Sequence, residues 1–411
     1  MKFYGDWLPD DLRRFRFIEA IFRETCLRHG YGETRTPVIE KLYWFTGAGI
    51  LSPDLMHKIY TFLDWDGWSG ERVVLRPDNT VPVCRLFSEY FMKQKQARLF
   101  YVEDVFRYNE EQKAGGRHCQ LGLELLGNFD FPPVRDAEVI LLLVEFFKEL
   151  KIGKIKITLS HAGILRAYIK TLGLSPAEEE DAFALLLEGR THELRRICVQ
   201  RHGMDGLSRL MDLRGSSAAF LTNLKALGKN SADFLAAAAE LEQIASILEK
   251  LGVHFEINPA IRKDLTYYTG VMFDVDVEGT IVGSGGRYDN LLQRFTGEPI
   301  GGCGFCLYAE ALMELCKTLY GAFEERPSIT LVADFNKEAD VVQAIKTAEK
   351  LRAAGLSVQL SAHKSARMNG QIKKGKDGYI LEALSKSKKE AFLLPLKSIK
   401  KLIEFWGVCC D

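Results

Sequence analysis

Residues 267–278 constrain the fold most. Val271, Phe273, Val275 and Val277 fall on one side of an extended chain, and Met272, Asp274, Asp276 and Glu278 on the other. Strand side chains alternate between faces, so the pattern describes a half-buried strand. Gly279-Thr280 then reads as a turn and Ile281-Val282 as the start of a return strand. Further strand-like runs at 72–75 and 99–108 are rich in β-branched and aromatic residues. Few crossover helices separate these strands, which favours an antiparallel sheet over a doubly wound one.

Helices flank the strands. Pro9, Asp10 and Asp11 give a helix start, Leu12, Phe15, Ile18 and Phe22 recur at helical spacing, and His29-Gly30 closes the segment. An apolar face returns at helical spacing over 134–150, and alternating Lys and Ile over 154–159 predicts a strand. From about 164 to 252 the chain is almost wholly helical in character, an insertion inside a sheet-based domain. Past Pro327 a strand at 329–333, a helix at 339–354 ended by Gly355, and a strand at 357–360 begin a separate α/β domain. The predicted class is α+β, with one domain over 1–326 and a small one over 327–411.

Composition narrows the function. With 47% hydrophobic and 27% charged residues the chain reads as globular throughout. Lys+Arg and Asp+Glu number 55 each, which argues against a surface built to hold nucleic acid. The segment from Pro327 onward has 15 Lys+Arg against 9 Asp+Glu, either an RNA contact or a solvated lysine-rich face. Nine dispersed cysteines, and an N-terminus unlike a signal peptide, point to reduced thiols in a cytoplasmic protein. No aliphatic run approaches the 18 or so residues that a spanning helix requires.

Four short strings carry polar residues placed for chemistry. Arg76-Pro77-Asp78-Asn79-Thr80 ends a strand with a carboxylate and a hydroxyl two residues apart, a spacing suited to an ammonium and equally to a capped turn. Next, Val105-Phe106-Arg107-Tyr108, a loop with Gly115-Gly116-Arg117, and Gln120-Leu121-Gly122-Leu123-Glu124 place Arg107, Gln120 and Glu124 on one sheet. Gln120 and Glu124 share a face, which is either solvated or a binding floor. The third string is Leu265-Thr266-Tyr267-Tyr268-Thr269-Gly270. Adjacent strand residues face opposite sides, so Tyr267 and Tyr268 cannot both enter the core of one regular strand. The fourth, Gly283-Ser284-Gly285-Gly286-Arg287-Tyr288-Asp289, lacks the Gly-Lys-Ser/Thr of a phosphate loop and reads as close backbone packing.

These strings, in this order and with the helical insertion between the second and third, resemble the class II aminoacyl-tRNA synthetase fold in its histidyl-tRNA synthetase form. Leu8-Pro9 and the stretch from Gly30-Tyr31 to Thr36-Pro37-Val38-Ile39-Glu40 resemble that family's dimer-forming first motif. The likeness spans about residues 1–315. A weaker echo in Leu351-Arg352-Ala353-Ala354-Gly355 makes the last domain similar to a degraded anticodon-binding domain.

The resemblance implies a histidine pocket formed by Asp78, Thr80, Arg107, Gln120, Glu124, Tyr267 and Tyr268. It also implies lost adenylation chemistry. Ala311 stands where the family's third motif has a phosphate-clamping arginine, Asn109 where the second has an acid, and Lys263 where a catalytic arginine precedes the tyrosine pair. Lysine keeps the charge without the bidentate fork, and Arg262 is a neighbouring substitute. An intact amino-acid pocket beside such losses is similar to the ATP phosphoribosyltransferase regulatory subunits. That likeness implies a dimer within a hetero-oligomer, with a short-form catalytic subunit as partner, L-histidine as ligand, and no cofactor. Cys303 and Cys306 have no second pair at ligand spacing and read as small strand residues rather than metal ligands. His118 reads as a loop residue rather than a general base.

Overall fold

The computed structural model describes residues 6–46, 56–64, 70–109, 114–128, 130–190, 193–194, 210–227, 230–259, 261, 267–320, 328–332, 335–353, 355, 357–362, 370–375, 378–384 and 391–395. It divides into two compact units, Met1–Gly321 and Ala322–Asp411.

The first unit opens with α1 (Pro9–Arg28), β1 (Gly32–Glu33), β2 (Ile39–Lys41), α2 (Tyr43–Thr46), β3 (Tyr60–Asp64), β4 (Glu71–Leu75) and α3 (Thr80–Tyr90). Two long strands, β5 (Gln96–Asn109) and β6 (Ala114–Gly127), precede α4 (Pro132–Glu149) and β7 (Lys156–His161). The helical insertion follows as α5 (Ala162–Lys170), α6 (Pro176–Leu187), α7 (Phe220–Leu227) and α8 (Ala232–Lys250). The chain returns through β8 (Phe255–Ile257), β9 (Val271–Val277), β10 (Thr280–Arg287), α9 (Asp289–Thr296), β11 (Gly302–Tyr308) and α10 (Ala309–Tyr320).

Eight of these strands form one sheet in the order β1-β5-β6-β11-β10-β9-β7-β8, and β2-β4-β3 form a second, smaller one. From β5 to β7 every pairing in the large sheet is antiparallel; only the edge strands β1 and β8 pair in parallel. The hairpin expected from alternation is β9–β10, with Val277 opposite Thr280 across a two-residue turn. Val271, Phe273, Val275 and Val277 are buried as predicted, and Met272 on the opposite face is buried too.

Alternation gives the large sheet two different faces. Phe100, Leu121, Leu123, Phe273 and Phe305 point into the main core, where α1 and α4 cover them. Phe22 of α1 meets Phe100 and Phe146 edge-on, with ring centroids 6.0 and 5.5 Å apart, a preferred aromatic geometry. The stripe predicted on α1 holds for Phe15, Ile18 and Phe22, whereas Leu12, in the helix's first turn, is 40% exposed. Gln120, Glu124, Asp274, Ser284 and Cys306 lie at even positions and face the other way.

The insertion is tied to the sheet at the last residue of β7. His161 Nδ1 accepts the Gly163 N–H at 3.1 Å, capping α5, and Nε2 lies 3.1 Å from Glu240 Oε2 on α8. Ser175 and Glu178 form a capping box at the start of α6.

The second unit contains β12 (Ser328–Val332), α11 (Glu338–Ala353), β13 (Ser357–Ser361), β14 (Gly370–Gly375), β15 (Gly378–Leu384) and β16 (Ala391–Pro395), in sheet order β13-β12-β14-β15-β16. β12, α11 and β13 make the expected parallel crossover, with Ala344, Ala348 and Leu351 as the helix's buried side. Among the described residues no helix is long and apolar enough to cross a membrane.

Candidate functional site

A cavity of about 550 Å³ opens over the sheet face that carries Gln120, Asp274 and Ser284. Of the seven predicted site residues, Asp78, Thr80, Arg107, Gln120, Tyr267 and Tyr268 line it, and Glu124 lies beneath. Glu124 and Gln120 do share a face of β6, but the start of α3 closes over Glu124. It accepts from Thr80 Oγ1 at 2.9 Å, from Tyr101 OH at 3.1 Å, and from Tyr288 OH. Burial, opposed by these hydroxyls, pushes the Glu124 carboxyl up to about 8. A side chain on Gly304 would collide with Glu124 Oε2, so the facing strand must carry a glycine there.

Asp78 forms the capped turn that one reading of its sequence expected, and it also faces the cavity. Its Oδ1 accepts the Thr80 and Val81 N–H groups at 2.9 and 3.3 Å, an N-terminal cap on α3, while the same side chain lines the cavity. Burial raises its pKa, and Arg107 opposes that rise. Arg107 leans across the mouth with Nε donating to the Pro77 carbonyl at 2.7 Å. A cationic ligand group beside Asp78 would complete the neutralisation that Arg107 begins.

Tyr267 and Tyr268 both reach the cavity because they precede β9 rather than belonging to it. Thr269 pins the segment by donating its N–H to the Arg287 carbonyl at 2.8 Å. The two rings are 5.0 Å apart and tilted by 49°, and Tyr288 meets Tyr267 edge-on at 5.6 Å. Gly286, at φ 157°, makes room for the Tyr268 ring, which would contact a Cβ there at 2.8 Å. Burial lifts all three phenols well above their ordinary pKa, so they remain protonated donors at neutral pH.

The outer rim is acidic and small. Tyr308 closes β11, Glu310 and Ala311 open α10, and Asp274 faces them from β9. Ser284 Oγ and Tyr308 OH are 3.1 Å apart. Glu310 Oε1 accepts the Cys119 N–H at 3.0 Å, and burial raises its pKa. Ala311 presents only a methyl group to the cavity.

Two expectations need correction, both in the stretch 115–118. Gly115, Gly116 and Arg117 belong to β6, paired with Tyr108, Arg107 and Phe106, and are not a loop. His118 therefore stands on that strand and lines the cavity; burial first, then Arg107, lowers its pKa. The glycines of 283–286 lie within β10 as sheet packing. Cys303 and Cys306 are three apart on β11 and so face opposite sides. Lys263 and Arg262 lie outside the described residues, as does the side chain of Asn109.

Tyr288, Tyr308, Asp274 and Ser284 were not anticipated as site residues. The alternation of β9 singled out the polar face of Asp274, and Tyr288 stood in the fourth string, but neither pattern says what covers that face.

The histidyl-tRNA synthetase family model matches residues 4–312. An ATP phosphoribosyltransferase regulatory subunit of Dehalococcoides mccartyi (strain BAV1) is 38% identical over 366 residues, 87% of this chain and 86% of its own. The chain belongs to the ATP phosphoribosyltransferase regulatory subunits of the histidyl-tRNA synthetase family. A histidine–tRNA ligase of Geobacillus sp. WCH70 is 30% identical over 90% of this chain and 86% of its own. A crystal structure from Bacillus halodurans described as an ATP phosphoribosyltransferase regulatory subunit/histidyl-tRNA synthetase superposes with a TM-score of 0.72 at 26% identity, covering 88% of this chain and 92% of that one. Membership in the regulatory-subunit family sets the α+β class II synthetase-like architecture in place, with its mainly antiparallel sheet and flanking helices.

Proposed function

We propose that this chain is a non-catalytic regulatory subunit that joins a short-form ATP phosphoribosyltransferase catalytic subunit in the cytoplasm, supports its activity and senses L-histidine for feedback inhibition. One observation carries the reading: the cavity gathers Asp78, Thr80, Arg107, Gln120, Tyr267 and Tyr268 around one space, while its rim offers the methyl of Ala311 and the carboxyls of Asp274 and Glu310. The inner groups suit histidine: Asp78 for the ammonium, and phenols and hydroxyls for the imidazole. Among the described residues the lining holds one guanidinium, Arg107, and no lysine, which is little for a triphosphate. Among related phosphoryl-transfer systems a transition-state arginine is worth about 10³ to 10⁵ in rate, and an alanine supplies none of it.

Feedback then requires histidine to bind one conformation of the complex better than another, since equal affinity shifts nothing. The dimer and the hetero-oligomer follow from the family likeness, and nucleic acid is not a required partner. Asp78, Thr80, Arg107, Gln120, Tyr267 and Tyr268 act by direct contact, and Glu124 acts through Thr80 and Tyr288.

Two assays test this reading. The purified chain should catalyse no histidine-dependent ATP–pyrophosphate exchange. Mixed with a short catalytic subunit, it should switch on phosphoribosyl-ATP formation, and added histidine should switch it off. Robust exchange, or charging of tRNA, would instead establish a working synthetase, the reading favoured by the 30% identity to histidine–tRNA ligases.

A further inference from the structure

Asn79 is buried without a role in the contacts described so far. It stands at the N-cap of α3, where an asparagine side chain ordinarily accepts from the first N–H groups of the helix. Asp78 has taken those N–H groups, and Asn79, 1% exposed, turns inward instead. Its Nδ2 lies 3.0 Å from Gln120 Oε1 and 3.4 Å from the Glu103 carbonyl oxygen. Glu103 and Gln120 are cross-strand partners on β5 and β6, so a single amide group meets both members of one pair.

The chemistry of that pair fixes two orientations in turn. A backbone carbonyl only accepts, so the Asn79 amide must present its NH₂ group to Glu103. The same NH₂ reaches Gln120, which must answer with its oxygen. Gln120 Nε2 is thereby turned away, to 3.7 Å from Cys306 Sγ on the cavity wall. Asn79 Oδ1 meanwhile is buried with no hydrogen-bond partner among the described residues, a cost that side chains selected only for packing rarely carry.

We propose that Asn79 is a positioning residue: by holding the Gln120 carboxamide it makes that wall a hydrogen-bond donor, which takes the ligand's carboxylate while Asp78 takes its ammonium. This rests on the histidine reading above. Depth in the cavity agrees with it, because Gln120 lies opposite Tyr308 at the rim and Glu124 opposite Gly304 at the inner end. The ring then points inward and the carboxylate stays beside Gln120. A carboxamide of the opposite sense would present an oxygen and repel that carboxylate.

Calorimetry of the full chain with L-histidine and with L-histidinol, in which a hydroxymethyl replaces the carboxylate, tests the assignment. The wild type should prefer histidine. Gln120→Glu, which keeps an acceptor for Asn79 but turns a second oxygen on the ligand, should reduce that preference by about tenfold or more. Asn79→Ala, which frees the carboxamide to rotate, should reduce it by about threefold, with histidinol affinity nearly unchanged. A merely structural role would weaken both ligands equally, and equal weakening in Asn79→Ala, or an unaltered preference in either variant, overturns the proposal. If the wild type binds histidinol but not histidine, the histidine reading falls together with this inference. If it binds histidine and Asn79→Ala leaves the preference intact, only the positioning role falls.

Discussion

The inner end of the cavity and its outer rim are built on the same strands yet by opposite rules. At the inner end Glu124 is enclosed by Thr80, Tyr101 and Tyr288, with each of its described contacts a hydroxyl donor. At the rim Asp274, Glu310 and Tyr308 surround the methyl of Ala311. The first arrangement is what a buried carboxyl needs if it is to stay in place, because an unpaired buried charge is costly and a fully satisfied network is rigid. Among the described residues the second adds no guanidinium to that of Arg107, where proteins that hold phosphates commonly gather several cations. One cavity therefore combines a closed, hydrogen-bonded inner end with a rim of two carboxyls, a phenol and a methyl group.

The largest effect should come from breaking the inner end. Asp78→Ala removes the ammonium partner and the cap of α3 together, so histidine affinity should fall by roughly a hundredfold, with a stability loss of about 1 kcal/mol. Calorimetry and urea titration separate the two. Tyr268→Ala should follow, weakening histidine binding by about tenfold or more through lost aromatic contact; in a reconstituted complex it should desensitise the partner to histidine and leave activation in place.

Glu124→Gln sharpens the comparison through pH. The folded Glu124 holds its proton up to about 8, whereas the unfolded chain releases it near the ordinary carboxylate value of about 4.5. Across that window the unfolded state binds fewer protons, so the wild type loses stability as pH rises. Glutamine has no such proton to lose. Urea titrations at about pH 5 and about pH 8 should therefore show the variant gaining on the wild type at the higher pH, and a gap of opposite sign would refute the assignment. The smallest effect is expected at the rim: Ala311→Ser should change histidine affinity by less than about twofold.

Much of this contrast was legible before the fold was known. The period of two in β9 set the sheet type, and the strings around Asp78, Arg107, Gln120 and Tyr267 brought six of seven site residues to one cavity. What could not be read was depth. Alternation assigns Gln120 and Glu124 to one face of β6, but only the crossing of α3 decides that the first lines the cavity while the second is sealed below it. The tyrosine pair shows the complementary limit. The parity argument that both cannot face one way holds within a strand, and β9 begins only at Val271. Likewise, glycine content suggested a loop at 115–117, where the residues pair as strand because β5 and β6 extend beyond the sheet's neighbouring strands.

The most direct test is titration calorimetry of the purified chain with L-histidine and, separately, with ATP and magnesium. The account predicts saturable binding of one histidine per chain and no measurable heat from the nucleotide. Tight ATP binding, with a competitor showing it seated beside Ala311, would contradict it.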